Sequence, residues 1–219
     1  MNVVDLSKNN SLLNVFVKEL RDVTVQGHRA HFRHNLKRIG EIMAYEISKT
    51  LEYRKVSVTT PLATSKCHEI ADHLVIGTLF RAGIPMHDGM LGYFDDADNA
   101  FVSAFRHYHL REPEKFDINI EYIASPRLDG STLIIADPML ATGSSMDLGY
   151  RALLTRGTPA KVHFASVIAS RQAVEFMKKR FPDDNFTLWV AAVDDTLNDH
   201  SYIVPGLGDA GDLAYGQKE

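Results

Sequence analysis

The sequence predicts an α/β fold: a central, mostly parallel sheet flanked by helices, with a flexible β-hairpin flap and an N-terminal helical elaboration. Three observations predict it. From about residue 56 onward, short β-branched runs alternate with amphipathic helical stretches. Runs such as Leu133-Ile134-Ile135-Ala136 are apolar without alternation, the pattern of a strand covered on both faces. The stretch from Ala100 to Ile123 reads as two strands around a polar connection, RHYHLREPEKFD, with no apolar helical face between them.

Each element has its own reason. A first helix is predicted from about Asn10 to Leu20, where Leu12, Leu13, Phe16, Val17 and Leu20 recur at helical spacing. Gly27 breaks the chain. A longer helix follows from about Arg29 to Leu51, with Phe32, Leu36, Ile39, Met43, Ile47 and Leu51 on one side, a stripe for the core or a subunit interface. Its start carries Arg29, Arg33, Lys37 and Arg38, which oppose the helix dipole and read as a solvated face or a hint of an anion. Strands are expected at 56–59, 73–79, 100–104, 118–123, 132–136, 161–169 and 186–192, and helices at 84–91, 145–154 and 171–180. No linker or internal repeat divides the chain, so residues 1–219 are expected to form one domain.

Composition removes several functional classes. The chain has 219 residues, 24 Lys+Arg against 28 Asp+Glu and a net charge of −4, so it lacks the basic footprint of a general nucleic-acid binder. Cys67 stands alone, which excludes an internal disulfide and any zinc site built on paired thiolates. The opening MNVVDLSKNNS has an acid at position 5 and no apolar core, so it does not read as a secretory signal, and no apolar run is long enough for a membrane span. A cytoplasmic location is expected. The histidine groups His28/His31/His34 and His107/His109 lack a neighbouring thiol or acid pair and do not read as a metal centre.

The most informative segment is TLIIADPMLATGSSMDLGYRALLTRG, residues 132–157. A strand ends at Ala136, a loop follows, and an amphipathic helix starts near Ser145. In a parallel sheet this is the carboxyl end of a strand feeding a helix start, where ligands bind. Small residues at Thr142, Gly143, Ser144 and Ser145 leave N–H groups free to cradle an anion, with Asp137 near a ribose hydroxyl or a metal. The same residues also suit a plain turn and cap, with Gly143 supplying a positive φ. No Gly-Lys-Ser/Thr occurs, which argues against nucleotide hydrolysis of the Walker type.

Two further segments carry chemistry. The stretch 202–212, YIVPGLGDAGD, packs three glycines, a proline and two acids between anchoring apolar residues, so its backbone can approach a planar base closely. Arg81 lies between a strand end and Gly83, where its fork of donors can meet a pyrophosphate.

Taken together, these segments resemble the type I phosphoribosyltransferases. DPMLATG resembles the 5-phosphoribosyl-1-pyrophosphate (PRPP) loop in the variant of the uracil phosphoribosyltransferases. The 202–212 loop resembles their uracil-binding loop, and Leu79–Gly83 their pyrophosphate-binding arginine segment. Ala104-Phe105-Arg106 resembles the strand entering their flexible hairpin, and Leu20-Arg21-Asp22 and Met43-Ala44-Tyr45-Glu46 their opening segments.

The resemblance implies that PRPP is bound by Met139, Leu140, Ala141, Thr142, Gly143, Ser144 and Ser145. It implies that Tyr202, Ile203, Gly208, Asp209 and Ala210 bind the base and ribose. Arg81 and Arg106 would face the pyrophosphate, Asp137 the ribose hydroxyls, and Asp209 the PRPP side. The implied reaction makes UMP and diphosphate from uracil and PRPP in pyrimidine salvage. Mg²⁺ would be held mainly by PRPP, with a water-mediated reach from Asp209 and no direct protein ligand. A homo-oligomer (dimer or tetramer) is implied, and GTP as an allosteric activator belongs to some members; no nucleic-acid or membrane partner is expected. Departures are His107 for a common acid, Ser144 for a common glycine and Leu213 for a common arginine. Two other readings share the pattern: an enzyme of the same fold for another base, and a UMP-responsive RNA-binding regulator, which would show a basic face.

Overall fold

Seven strands run side by side in the order β1 (Asn2–Asp5), β10 (Phe186–Asp194), β9 (Lys161–Ser170), β7 (Thr132–Ala136), β4 (Leu74–Leu79), β5 (Asp98–His109) and β6 (Glu112–Ala124). All neighbours are parallel except β5 and β6. An eighth, two-residue strand, β8 (Met139–Leu140), adds to the end of β9. This computed structural model describes residues 1–109 and 112–217, with backbone alone for 104–109 and 112–120.

Strand alternation divides the core into two layers. Ile76 and Ile134 point to the side covered by α1 (Leu12–Arg21), α2 (Arg29–Ser48) and α3 (Ile84–Leu91). Val75, Leu133 and Ile135 point to the side covered by α4 (Ser144–Leu153) and α5 (Arg171–Arg180). The predicted stripe of α2 is the core of the first layer, since Phe32, Leu36, Ile39, Met43 and Ile47 are all buried. On α1 the stripe is narrower than the sequence suggests, because Leu12 is exposed while Leu13, Val17 and Leu20 are buried. Ser11 and Asn14 close a reciprocal cap at its start.

Several expectations are corrected. The run at 56–59 belongs to a separate two-stranded arm, β2 (Tyr53–Thr59) with β3 (Thr64–Ile70), whose side chains are mostly exposed. Sequence periodicity missed β3 because neither face of the arm is buried. The polar stretch RHYHLREPEKFD is not a long connection: nearly all of it lies within β5 and β6, and only positions 110 and 111 fall outside the described residues. The N-terminus begins with an edge strand rather than helix, and the C-terminal loop contains β12 (Ile203–Val204), paired with β11 (Thr196–Leu197), and turns into α6 (Ala210–Tyr215). The basic residues of α2 serve the fold: Arg33 donates to the Ala214 carbonyl, Lys37 pairs with Asp88, and Arg38 lies over the Phe16 ring. Among the described residues no helix is long and apolar enough to cross a membrane.

Candidate active site

The winding of the sheet changes direction between β4 and β7. From β4 the chain crosses through α3 to β5 on one side; from β7 it crosses through α4 to β9 on the other. The two helices lie on opposite faces, so the carboxyl ends of β4 and β7 open a crevice, the place where such sheets bind ligands. A cleft of about 410 Å³ occupies it. Arg81, just beyond β4, and Asp137, just beyond β7, both line it.

Arg81 is fixed from the C-terminal side. Its Nη2 donates to Asp212 Oδ1 at 2.9 Å and its Nη1 to the Gly216 carbonyl at 3.1 Å. The Phe80–Arg81 peptide is cis. Phe80 stacks on Tyr122 of β6, with ring centroids 6.0 Å apart, and lies 5.9 Å from the Phe101 ring of β5.

Asp137 has no salt-bridge partner among the described residues. Among the described residues its carboxyl accepts one hydrogen bond, from the Met139 N–H at 3.3 Å. It touches the cleft, yet protein atoms crowd the carboxyl, and this desolvation pushes its pKa up to about 7. The backbone bond pulls the other way and is too weak to offset burial.

The loop after Asp137 ends in a tight turn. Gly143 adopts φ 82°, ψ −8°, immediately before α4. A Cβ there would lie 2.6 Å from the Phe176 ring, so both the backbone angle and the packing require glycine. Thr142 Oγ1 donates to Ser144 Oγ at 3.0 Å and accepts from the Ser144 N–H at 3.3 Å. Neither serine caps the helix through its side chain. The turn is tied to β9 by Ser170, whose hydroxyl donates to the Ala141 carbonyl at 2.5 Å and caps α5 by accepting from Ala173. Met139, Ala141 and Ser145 reach the cleft wall. The Leu140 side chain is 1% exposed and packs in the second core layer, so it anchors the loop and only its backbone is left for a ligand.

The opposite wall is the C-terminal loop. Tyr202, Ile203, Gly208, Asp209 and Ala210 line the same cleft. Tyr202 is exposed there, whereas Ile203 is anchored in the first core layer. Asp209 caps α6, its Oδ1 accepting from the Asp212 N–H at 2.9 Å. Leu213, which replaces a common arginine, packs against the first core layer. His200 and Ser201 also line the cleft and were missed from sequence, as was Asp212 as the partner of Arg81. The composition of 198–202 signals only a turn, and an acid within a glycine-rich loop does not reveal which cation it meets.

The comparisons with known proteins agree with this geometry. The family model described as uracil phosphoribosyltransferase matches residues 7–217. The chain belongs to the uracil phosphoribosyltransferase family. It is 56% identical over 218 residues to a uracil phosphoribosyltransferase of Porphyromonas gingivalis, covering 100% of both chains. With the enzyme of that name from Methanothermobacter thermautotrophicus, identity is 38% over 208 residues and coverage 93% of each chain. Among solved structures, the AQ2163 protein of Aquifex aeolicus superposes with a TM-score of 0.84 at 29% identity, covering 98% of both chains. A hypoxanthine phosphoribosyltransferase of Staphylococcus aureus shares the fold alone, with a TM-score of 0.50 at 12% identity over 86% of this chain and 83% of that one.

Within this family frame, the sequence-predicted residues Arg81, Asp137, Met139, Ser145, Tyr202 and Asp209 come from three distant segments to one cleft. The side chains of Arg106 and His107 lie outside the described residues.

Proposed function

We propose that this uracil phosphoribosyltransferase family member transfers 5-phosphoribose from PRPP to N1 of uracil, giving UMP and diphosphate in pyrimidine salvage. One observation carries the assignment: the arginine segment after β4, the phosphate-type turn after β7 and the glycine-rich C-terminal loop line a single cleft at the switch point of the sheet. Its volume of about 410 Å³ lies within the range of small-ligand sites.

In the reaction the C1′–oxygen bond to pyrophosphate breaks, the N1–C1′ bond forms and the N1 proton leaves. Positive charge grows on the ribose ring and negative charge on the leaving group, so the protein acts by position and electrostatics. The N–H groups at the start of α4 suit the 5′-phosphate. Arg81 suits the departing pyrophosphate, and Arg106 takes the same role on sequence resemblance. Asp137 suits the ribose hydroxyls. Its desolvated carboxyl, once ionised, would interact strongly with a cationic ring because little water screens it. The exposed backbone at Gly208 suits the edge of the pyrimidine.

Among the described residues no group of three or more His, Cys, Asp or Glu side chains could hold a metal ion by itself. The oxygen donors Asp137 and Asp209 nevertheless suit the outer sphere of a hard cation carried in on PRPP. When bound, Mg²⁺ would neutralise part of the pyrophosphate charge. A homo-oligomer, activation by GTP and a cytoplasmic location are proposed from the family resemblance. The test is UMP formation from uracil and PRPP with Mg²⁺, against cytosine, hypoxanthine and orotate. Turnover confined to uracil supports the assignment, and equal or greater turnover with another base overturns the choice of acceptor.

A further inference from the structure

The C-terminal loop is held from outside. Residues 205–208 make no backbone–backbone hydrogen bond among the described residues. Their backbone is instead gripped at three points by side chains of other elements. Gly206 N–H donates to Asp194 Oδ2 at 2.9 Å, the Gly206 carbonyl accepts from Arg21 Nη1 at 3.1 Å, and the Leu207 carbonyl accepts from Gln26 Nε2 at 3.3 Å.

The first two gripping groups are one unit. Arg21, the last residue of α1, forks onto Asp194, the last residue of β10, with both N–O distances 2.7 Å. Asp194 is 7% exposed and Arg21 24%, so water competes weakly for the pair. The Asp194 carboxyl stays below its ordinary pKa: burial pushes it up, and the bonds from Arg21 and from Gly206 outweigh that. Gln26, in the turn after α1, also donates to the Leu20 carbonyl at 2.8 Å, which fixes its amide. Gly206 itself has φ 58°, and a Cβ there would lie 2.0 Å from the Ile203 carbonyl oxygen. The loop therefore sits in a shape that its own backbone does not hold, one residue from the exposed Gly208 in the cleft wall.

We propose that Arg21 and Asp194, assisted by Gln26, are positioning residues for base recognition: they hold Gly206 and Leu207 by both kinds of backbone group, so that the backbone around Gly208 meets the base edge in one conformation. This gives the N-terminal helical elaboration a task in the reaction. The proposal rests on the reading of 202–210 as the base-binding loop.

The test separates base from PRPP. Arg21→Met should raise the KM for uracil about tenfold or more, leave the KM for PRPP within about twofold, and speed amide exchange at residues 206–208. Arg21→Lys keeps the charge and loses the fork, and should recover part of the uracil KM. Should Arg21→Met fail to fold, Gln26→Leu removes only the Leu20 and Leu207 bonds and should raise the uracil KM about threefold. Equal rises in both KM values, or a fall in kcat alone, overturn the proposal. On the unaltered protein, UMP should slow exchange at 203–208. No slowing overturns the base-loop reading and the proposal with it; slowing together with an unmoved uracil KM in Arg21→Met and Gln26→Leu overturns the proposal alone.

Discussion

Replacing Asp137 with asparagine should make the protein more stable at neutral pH and less active. Among the described residues Asp137 has no cation partner, and desolvation raises its pKa from 3.8 to about 7. Between those values the folded chain keeps a proton that the unfolded chain has lost, so stability falls as pH rises. The slope is about 1.4 kcal/mol per pH unit, and the full window is worth about 4 kcal/mol. The cleft admits water, which cuts the expected effect to roughly 2 kcal/mol. Asparagine keeps an oxygen for the Met139 N–H and never ionises, so Asp137→Asn escapes this cost. Urea unfolding of both proteins at pH 5, 6, 7 and 8 gives the difference directly. Its constant part reflects how well the new amide packs; its pH dependence reports the carboxyl alone. The stability margin of the variant should grow by about 1–3 kcal/mol from pH 5 to pH 8 and level off above pH 7. A margin that stays flat across that range would refute the reasoning, because Asp137 would then titrate alike in the folded and unfolded chains. UMP formation by the variant should fall most at pH 7 and above, where the unaltered Asp137 carries its charge, and the deficit should shrink toward pH 5, where that carboxyl is already neutral.

Three other substitutions probe the walls of the cleft. Arg81→Ala should lower turnover about 100-fold, as expected for a donor that meets charge developing on the leaving group, and initial-rate kinetics on folded protein would show it. Gly143→Ala should destabilise by about 2–3 kcal/mol in urea unfolding and raise the KM for PRPP, because the new methyl meets both a left-handed φ and the Phe176 ring. Combining it with Phe176→Leu should recover the packing part and leave the backbone part. Ser170→Ala should cost about 2 kcal/mol of stability, as it removes the cap of α5 and the donor to the Ala141 carbonyl together.

Much of the architecture is legible because burial imposes periodicity. β4, β7 and β9 are covered on both faces and read as mostly apolar runs without alternation; α2 carries its core stripe at helical spacing. The arm of β2 and β3 was half missed because no face of it is buried to impose a pattern. The extent of β5 and β6 was missed because their polar residues resemble a loop. At the site, Gly143 and Gly206 announce themselves, since few other residues tolerate their φ values. The inward packing of the Leu140 side chain was not legible, because a motif gives chain positions without directions and alternate residues of a short strand face opposite ways. Arg21 shows the deeper limit. Nothing in Leu20-Arg21-Asp22 tells that the guanidinium reaches Asp194 and Gly206, partners 173 and 185 residues away.

The central claim is that three distant segments form one site spanning phosphate, ribose and pyrimidine. A crystal structure with UMP bound tests it most directly. In it the 5′-phosphate is expected against the N–H groups of Thr142–Ser145, the ribose beside Asp137, and the uracil edge on the backbone near Gly208. UMP bound with its base away from the 202–210 loop, or its phosphate away from the start of α4, would contradict the account.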